Sequence, residues 1–364
     1  MRTYQFDIKK IIRNFRAIIV IIITMFSCAE NLEKQSTSKE KLSFDVDTDI
    51  GLHIATRGIT NNINELKNSG FNLAMVDHAT QQHKIPVSFG HVSYLNSRWM
   101  RDVYLWSQTD INKYDFYAFY PQPTEDDRFI AQFDINDQAE DLISYKMLQN
   151  PKDHIDILLA EAKDIAWTSA PIRLMFRHIT SALKFSEMKT ANEDGIVIDI
   201  EKIVIHGLNT HANYSIVTNS WTPVEGALST PIHFLKGEAL LQHPQTGEGK
   251  VAITSPDGIM FFPPQIADDL ADLSILISIK ITVPQISGEE DFVQFSTVEI
   301  TGDKLITDRD GIETGKTVSS LISEIRAGEI LDMVLTYSTT TASFTIRGTI
   351  TTWNRKPIIL PDYE

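Results

Sequence analysis

Apolar and polar side chains alternate with a period of two along most of the chain from Leu42 onward. The clearest example is residues 273–281, where every second side chain is aliphatic and the intervening ones are mostly polar. Successive side chains of a β-strand point to opposite faces, so this pattern is typical of strands with one buried face. The alternation therefore predicts a chain that is mainly β.

Strands dominate the predicted secondary structure, and only residues 138–149 and 317–325 have the helical spacing that predicts short helices. The turn signal at Asp194 and Gly195 predicts that the strands on either side of it are adjacent and antiparallel. Many short strands joined by polar turns indicate β-sandwiches. The predicted strands are residues 71–76, 103–106, 115–120, 172–178, 196–200, 251–254, 273–281, 292–300, 331–338 and 343–353.

The first thirty residues have the pattern of an export signal. A leader with five basic residues precedes the apolar run 17–26, which is followed by Ser27 and Cys28. The run is about half of the roughly 20 residues that a spanning helix needs. A small residue directly before a cysteine is similar to the lipobox of bacterial lipoproteins. We therefore predict a signal peptide over residues 1–27 and lipidation, including palmitate, at Cys28, with an ordinary secretory signal as the alternative.

Length and composition bound the remaining organisation. The chain of 364 residues has a formal charge of -15 at pH 7, which argues against a nucleic-acid partner because such binding needs a basic patch. Residues 28–41 are rich in Lys, Glu, Ser and Thr and predict a flexible tether. The rest exceeds one usual hydrophobic core, and the turn-rich stretch 207–226 predicts a division into domains 42–210 and 211–364.

Motifs for catalysis and metal binding are not found in the sequence, so no catalytic residue, metal or cofactor is predicted. Asp45, Asp47 and Asp49 match the start of a calcium loop, but the glycine falls one place late and the twelfth position is Thr56. His178 lies on an apolar strand face, where a core histidine bonded to a neighbouring loop is favoured over a ligand or base.

A set of landmark residues recurs in order along the chain from about residue 42 to residue 353. The landmarks are Leu42 and Phe44, residues 55–57, Trp99, Trp106, residues 116–121 and 156–160, residues 172–185 with Phe176 and His178, residues 262–265 with Pro264, residues 326–328, and residues 350–353 ending in Trp353. In this order they resemble the fimbrillin family, which comprises the subunits of type V pili and their lipoprotein relatives.

The resemblance implies two tandem transthyretin-like β-sandwich domains and export as a lipoprotein. In assembling members a protease that cuts after arginine removes the first strand, and an extended strand of another subunit fills the groove. Arg57 matches the position of that cut. The implied partners are other pilus subunits, a host or bacterial surface ligand, and the outer membrane through lipid at Cys28. The implied location is the cell surface, with incorporation into fimbriae as a further expectation.

The carboxy-terminal tail departs from a good donor strand. Pro357 and Pro361 bracket a short apolar segment, and proline cannot donate a ladder hydrogen bond. The tail therefore favours a pilus tip, anchor or accessory subunit, or an adhesin, over the main shaft subunit.

Two other functions stay open at the level of sequence. Tryptophans could form a carbohydrate-stacking platform in a glycan-binding surface lipoprotein, although most are predicted to be core residues. An unrecognised hydrolase would require carboxylates that converge in a cleft. The tryptophans are Trp99, Trp106, Trp167, Trp221 and Trp353.

Overall fold

The chain folds into an all-β structure of five sheets, with two short α-helices among the described residues. This computed structural model describes residues 40–48, 63–77, 86–106, 112–122, 129–132, 142–191, 196–216, 218–227, 229–235, 250–251, 258–285, 290–308, 311–338 and 340–352. The predicted all-β class is confirmed. In this part of the chain no helix is long and apolar enough to cross a membrane.

The first eleven strands precede the turn-rich stretch. They are β1 (Glu40–Thr48), β2 (Phe71–Asp77), β3 (Pro86–Leu95), β4 (Arg98–Trp106), β5 (Tyr114–Tyr120), β6 (Phe129–Gln132), β7 (Leu142–Lys146), β8 (Leu158–Ile165), β9 (Ile172–His178), β10 (Ser181–Ala191) and β11 (Val197–His206).

Eleven further strands follow. They are β12 (His211–Ser215), β13 (Ser220–Pro223), β14 (Ile232–Leu235), β15 (Lys250–Val251), β16 (Met260–Phe262), β17 (Ser274–Val283), β18 (Phe292–Thr301), β19 (Leu305–Thr307), β20 (Glu313–Thr317), β21 (Glu329–Ser338) and β22 (Ser343–Thr352). The helices are α1 (Ile63–Ser69) and α2 (Val318–Ser323), with 3-10 turns at Pro151–Asp153 and Ala267–Leu270.

Seven strands close into a barrel in the order β1-β4-β3-β2-β5-β8-β9, and β9 pairs with β1 to complete the circuit. The β1–β9 pair is parallel, whereas the other six pairs are antiparallel. The inward side chains are aromatic and aliphatic, and α1 adds Leu66 to the same cluster. Closure leaves the barrel with no free strand edge, which is a common solution for an antiparallel sheet.

Two further sheets share a second core. One has the order β15-β10-β21-β22, with β16 also paired to β10, and the other has the order β14-β11-β17-β18. The alternation that defines β17 buries Ile275, Ile277 and Ile279, which join Leu335 and other inward residues of β21 in one cluster. The sequence pattern at 273–281 therefore identified the strand that covers this core.

The sheet β13-β12-β7-β6 joins the barrel to this second core. Its buried residues Ile143 and Tyr145 belong to one continuous cluster with Val76 and Phe119 of barrel strands β2 and β5. The same cluster contains the inward residues of the two later sheets. The two halves are thus connected by a shared hydrophobic core.

The helix predicted at residues 138–149 is wrong, because residues 142–146 form strand β7 between β6 and β12. Ile143, Tyr145 and Met147 are buried with a period of two. Burial of every second side chain in the sheet favours a strand here, although the local sequence has the spacing of a helix. The helix predicted at residues 317–325 is confirmed as α2.

The predicted pairing across Asp194 and Gly195 is also wrong. Strand β9 pairs with β1 and β8, whereas β11 pairs with β14 and β17. Strand β10 lies between them in sequence and pairs with β21. The domain boundary at residue 210 stays a prediction. Strands β10 and β11 precede it, and each pairs with a strand that follows it.

Candidate strand-exchange site

The predicted site residues fall in different parts of the chain. Cys28, Arg57 and Trp353 lie outside the described residues. Phe176 is a buried core residue of β9, and His178 ends the same strand. Pro264 is half-buried in the segment after β16 and is not part of the barrel core.

The first strand occupies a seat between two other barrel strands. Phe44 of β1 lies opposite Trp99 of β4 on one side and Ile172 of β9 on the other. Val46 lies opposite Leu174, two residues further along β9. Both β1 side chains enter the barrel core, where Phe44 is 3% exposed and Val46 is 5% exposed.

Aromatic rings line the pocket that the side chain of Phe44 fills. Its ring centroid lies 6.2 Å from those of Phe71 and Phe116, in edge-on geometry. The ring of Phe71 also contacts Trp99 at 5.3 Å and Phe176 at 5.2 Å. Edge-on and tilted contacts of this kind are the favoured arrangements for aromatic pairs. This pocket is therefore shaped to receive a large apolar side chain.

The geometry of this seat suits strand addition. Without β1, strands β4 and β9 would each present an unpaired edge, and the pockets of Phe44 and Val46 would open. An extended strand can satisfy both edges by main-chain hydrogen bonds, and its alternate side chains can fill the pockets. The two pockets require apolar residues at positions i and i+2 of the incoming strand.

A buried polar cluster fixes the end of β9. Nδ1 of His178 donates to Oδ1 of Asp156 at 2.8 Å, and the Thr180 hydroxyl donates to the same oxygen at 3.2 Å. The side chains of His178 and Asp156 are only 4% and 1% exposed. Their burial suits a structural contact that positions the link between β9 and β10.

Backbone contacts hold the same link. The Ile179 N–H donates to Ile157 O at 2.9 Å, and Nε1–H of Trp221 donates to Ile179 O at 2.6 Å. The Gly328 N–H donates to Thr180 O at 2.9 Å. The segment that leaves the barrel is thus bonded to both the bridging sheet and the second core.

A second histidine is buried nearby in sequence. Nε2–H of His154 donates to Leu148 O at 2.7 Å. Desolvation by burial lowers the pKa of His154 to about 4, against the opposing effect of that hydrogen bond. His154 is therefore neutral at pH 7.

Sequence reasoning missed the partly buried polar network around Arg177. Nη2 of Arg177 donates to Glu161 Oε1 at 3.1 Å, to Asn219 Oδ1 at 2.6 Å and to the Tyr214 hydroxyl at 3.3 Å. These residues come from β8, β12 and the turn before β13, so their proximity follows from tertiary pairing. No local pattern in the sequence could have identified it.

The described tryptophan side chains do not form an exposed platform. Trp99 is buried in the barrel, and Trp167 and Trp221 are half-buried against the hydrophobic clusters. Within the described ranges no group of three or more His, Cys, Asp or Glu side chains is arranged to hold a metal ion.

Several solved structures are similar to this chain. The chain is similar over 86% of its length to the whole of a fimbrial protein of Bacteroides vulgatus, with 14% identity and a TM-score of 0.60. It is also similar, with TM-scores of 0.42 and 0.46, to candidate cell adhesion proteins of Bacteroides uniformis and Parabacteroides distasonis. These are 12% and 8% identical, each over 86% of this chain and 98% and 99% of theirs.

No curated protein matches the chain. The model of the fimbrillin-like family matches residues 56–353, which is well over half of the sequence. That match agrees with the ordered landmarks read from the sequence, and the first of the structural similarities shows the same fold. The chain belongs to the fimbrillin-like family.

Proposed function

We propose that this chain is a cell-surface fimbrial or adhesion subunit that assembles by exchanging its first β-strand. The observation that carries the proposal is the position of β1, which completes the barrel between β4 and β9 and fills its core with Phe44 and Val46. Family membership supports a fimbrial or adhesive role at the cell surface. The role is structural, since no step of assembly requires a catalytic residue.

Arg57 supports the proposal by its place in the sequence. It follows the end of β1 at Thr48 and precedes the start of α1 at Ile63. A cut after Arg57 would therefore separate β1 from every other barrel strand and leave Leu66 of α1 in the core. Fully burying a side chain of this kind contributes about 1.5–3 kcal/mol, so losing Phe44 and Val46 would cost about 3–6 kcal/mol.

The lipid at Cys28 fits the same scheme. We propose that it holds the chain on the outer membrane, either until β1 is removed or permanently if the cut does not occur. Ile358 and Leu360 of the tail have the i, i+2 spacing that the two pockets require, but prolines flank them on both sides. This tail favours a tip, anchor or accessory subunit, or a standing adhesin.

The first test removes and replaces the strand. We expect cleavage after Arg57 to lower the unfolding temperature of the protein, and a synthetic peptide of Glu40–Thr48 to restore it. The same peptide with Phe44→Asp should not restore it, because a carboxylate would be buried among aromatic rings. Thermal unfolding of the cut protein with each peptide measures the effect.

The matching cellular experiment compares mature amino termini. Strand removal is supported if the parent protein on the cell surface begins at Gly58 and the Arg57→Ala variant keeps the residues before Gly58. Strand removal is contradicted if all of the parent protein on the surface keeps acylated Cys28 and the Arg57→Ala variant assembles as well as the parent. Cys28→Ala should abolish lipid labelling, and unchanged labelling would refute the anchor alone.

A further inference from the structure

Strand β18 exposes an unusual amount of apolar surface. Phe292, Val293 and Phe295 are 56%, 42% and 70% exposed. Strand β18 ends its sheet, and its only strand partner in the described part of the chain is β17. The strand therefore combines an open main-chain edge with uncovered aromatic side chains.

This edge lacks the usual protection against pairing. Edge strands are commonly guarded by lysine, proline or a bulge. Among its ten residues β18 has one ionisable side chain, Glu299, and neither lysine nor proline. It also pairs with β17 without interruption from Phe292 to Thr301. A regular, nearly uncharged edge of this kind is suited to accept another strand.

The alternation along β18 places its apolar residues on both faces. Ile300 is buried toward the core, so the even-numbered residues face inward and the odd-numbered residues face away. Val293 and Phe295 therefore share the outer face, where they lie opposite Thr282 and Lys280 of β17. Phe292 faces inward at the end of the strand, where it is still more than half exposed.

We propose that β18 is a lateral interface for a second copy of this chain. The two β18 strands pair antiparallel about a two-fold axis at Gln294, which joins the two four-stranded sheets into one of eight strands. In this register Val293 of each copy lies opposite Phe295 of the other. The four side chains form one apolar cluster on the outer face.

A second copy fits this edge because the paired stretch is self-complementary. A two-fold contact uses the same surface on both subunits, and facing residues must lie on the same face of the joined sheet. Pairing about Gln294 meets that condition for residues 292–296, none of which is charged. Asp291 of one copy lies alongside Thr297 of the other, so no like charges face each other there.

The buried area indicates a weak and reversible contact. Fully burying a phenylalanine covers about 150–250 Å², so the three exposed side chains of both copies contribute on the order of 600 Å². Stable interfaces bury about 1,200–2,000 Å² in total. Such a contact is favoured when copies are held close together on one surface, because the effective concentration is then high. It involves neither β1 nor Arg57, so it is independent of strand exchange.

The decisive test is a disulfide across the proposed axis. In the full chain carrying Cys28→Ser, we expect Gln294→Cys to give a disulfide-linked dimer on mild oxidation. Facing residues of antiparallel strands have Cα atoms about 4.5–5.5 Å apart, within the range of a disulfide. Thr297→Cys on the same strand is the matched control, because its two copies would lie about 20 Å apart in this register. Equal cross-linking at the two positions, or none at Gln294→Cys, would overturn the proposal.

Sedimentation measures the same contact without a cross-link. We expect the unmodified chain to show concentration-dependent dimerisation. Salt should strengthen it, because salt screens the repulsion between two copies that each have a charge of -15. Phe295→Asp should weaken dimerisation by at least about tenfold, whereas Ile312→Asp, at a residue 65% exposed elsewhere, should not. Thermal unfolding confirms that each variant folds. A monomer at every concentration, or equal loss in both variants, would exclude this interface.

Discussion

His154 shows how burial fixes the chemistry of one residue in this fold. His154 is buried in the segment between the 3-10 turn Pro151–Asp153 and β8, and its Nε2–H donates to Leu148 O. Within the described part of the chain, Nδ1 has no hydrogen-bond partner. Protonation would place a second N–H there and a charge in the interior, which explains why burial lowers the pKa of His154.

We expect the lowered pKa of His154 to make the folded protein less stable in mild acid. In the unfolded chain His154 has its ordinary pKa of 6.5, whereas in the folded protein its pKa is about 4. Between these values the unfolded state binds more protons, so stability is complete above pH 6.5 and falls as pH decreases toward 4. The loss is on the order of 3 kcal/mol. Urea unfolding from pH 7 to pH 4 measures it.

His154→Gln supplies the control, because its side-chain amide keeps a donor for Leu148 O but does not titrate. We expect the free energy of unfolding of this variant to depend less on pH between 6.5 and 4 than that of the parent. Parallel pH profiles for the two proteins would show that His154 does not sense pH.

At the scale of elements, the sequence predicted strands well wherever one face alone was buried. Residues 172–178 and 273–281 place most of their apolar side chains at every second position, and they became β9 and β17. Strand β1 was not among the strands predicted from alternation, and only the family landmark Phe44 pointed to it. The pairing partners could not be predicted, because β10 runs parallel to β21 across about 150 residues of sequence, and local patterns contain no such information.

The candidate site was predicted less completely than the fold. Phe44 and Phe176 were identified as landmarks, but their meeting in the barrel core depends on barrel closure. Asp156 stands in a landmark segment without any sign that its carboxylate would bond His178. The exposed edge of β18 was predicted only as an ordinary strand, because exposure depends on which sheets pack over it.

A reciprocal side-chain cap stabilises the start of helix α2. The Thr317 hydroxyl accepts from the Ser320 N–H at 3.1 Å, and the Ser320 hydroxyl accepts from the Thr317 N–H at 2.9 Å. This reciprocal cap holds a six-residue helix whose Leu321 and Ile322 are buried. We expect Thr317→Ala to lower the free energy of unfolding by about 1 kcal/mol, as measured in urea.

Ser320→Ala and the double variant complete the test of the cap. Because the two hydroxyls act on the same turn, the double variant should lose less than the sum of the single losses. Strictly additive losses would mean that the two hydrogen bonds act independently and that the cap is not a unit.

At the scale of the whole molecule, the shared core gives the barrel support that does not depend on β1. Val76 and Phe119 on the outer side of β2 and β5 pack into the cluster that includes Tyr145 of the bridging sheet. Tyr145 also links the parts by hydrogen bonds, since its hydroxyl accepts from the Ile155 N–H and donates to Phe261 O. This support from outside the barrel is consistent with the proposed strand exchange, in which the barrel temporarily lacks one strand.

The shared core also predicts cooperative unfolding of both halves. Chains of this size often unfold in several steps, so a single step would be a specific consequence of the continuous cluster.

Leu335→Ala in β21 removes a fully buried side chain and should cost about 2–5 kcal/mol. We expect hydrogen exchange under increasing denaturant to show the same shift in midpoint for amides of β5 in the barrel and of β21. Ile312→Ala, at an exposed site of the second half outside β18, should shift neither. If β5 keeps its midpoint in Leu335→Ala while β21 loses protection, the halves are independent, and the support proposed for a barrel without β1 would have to come from the barrel itself.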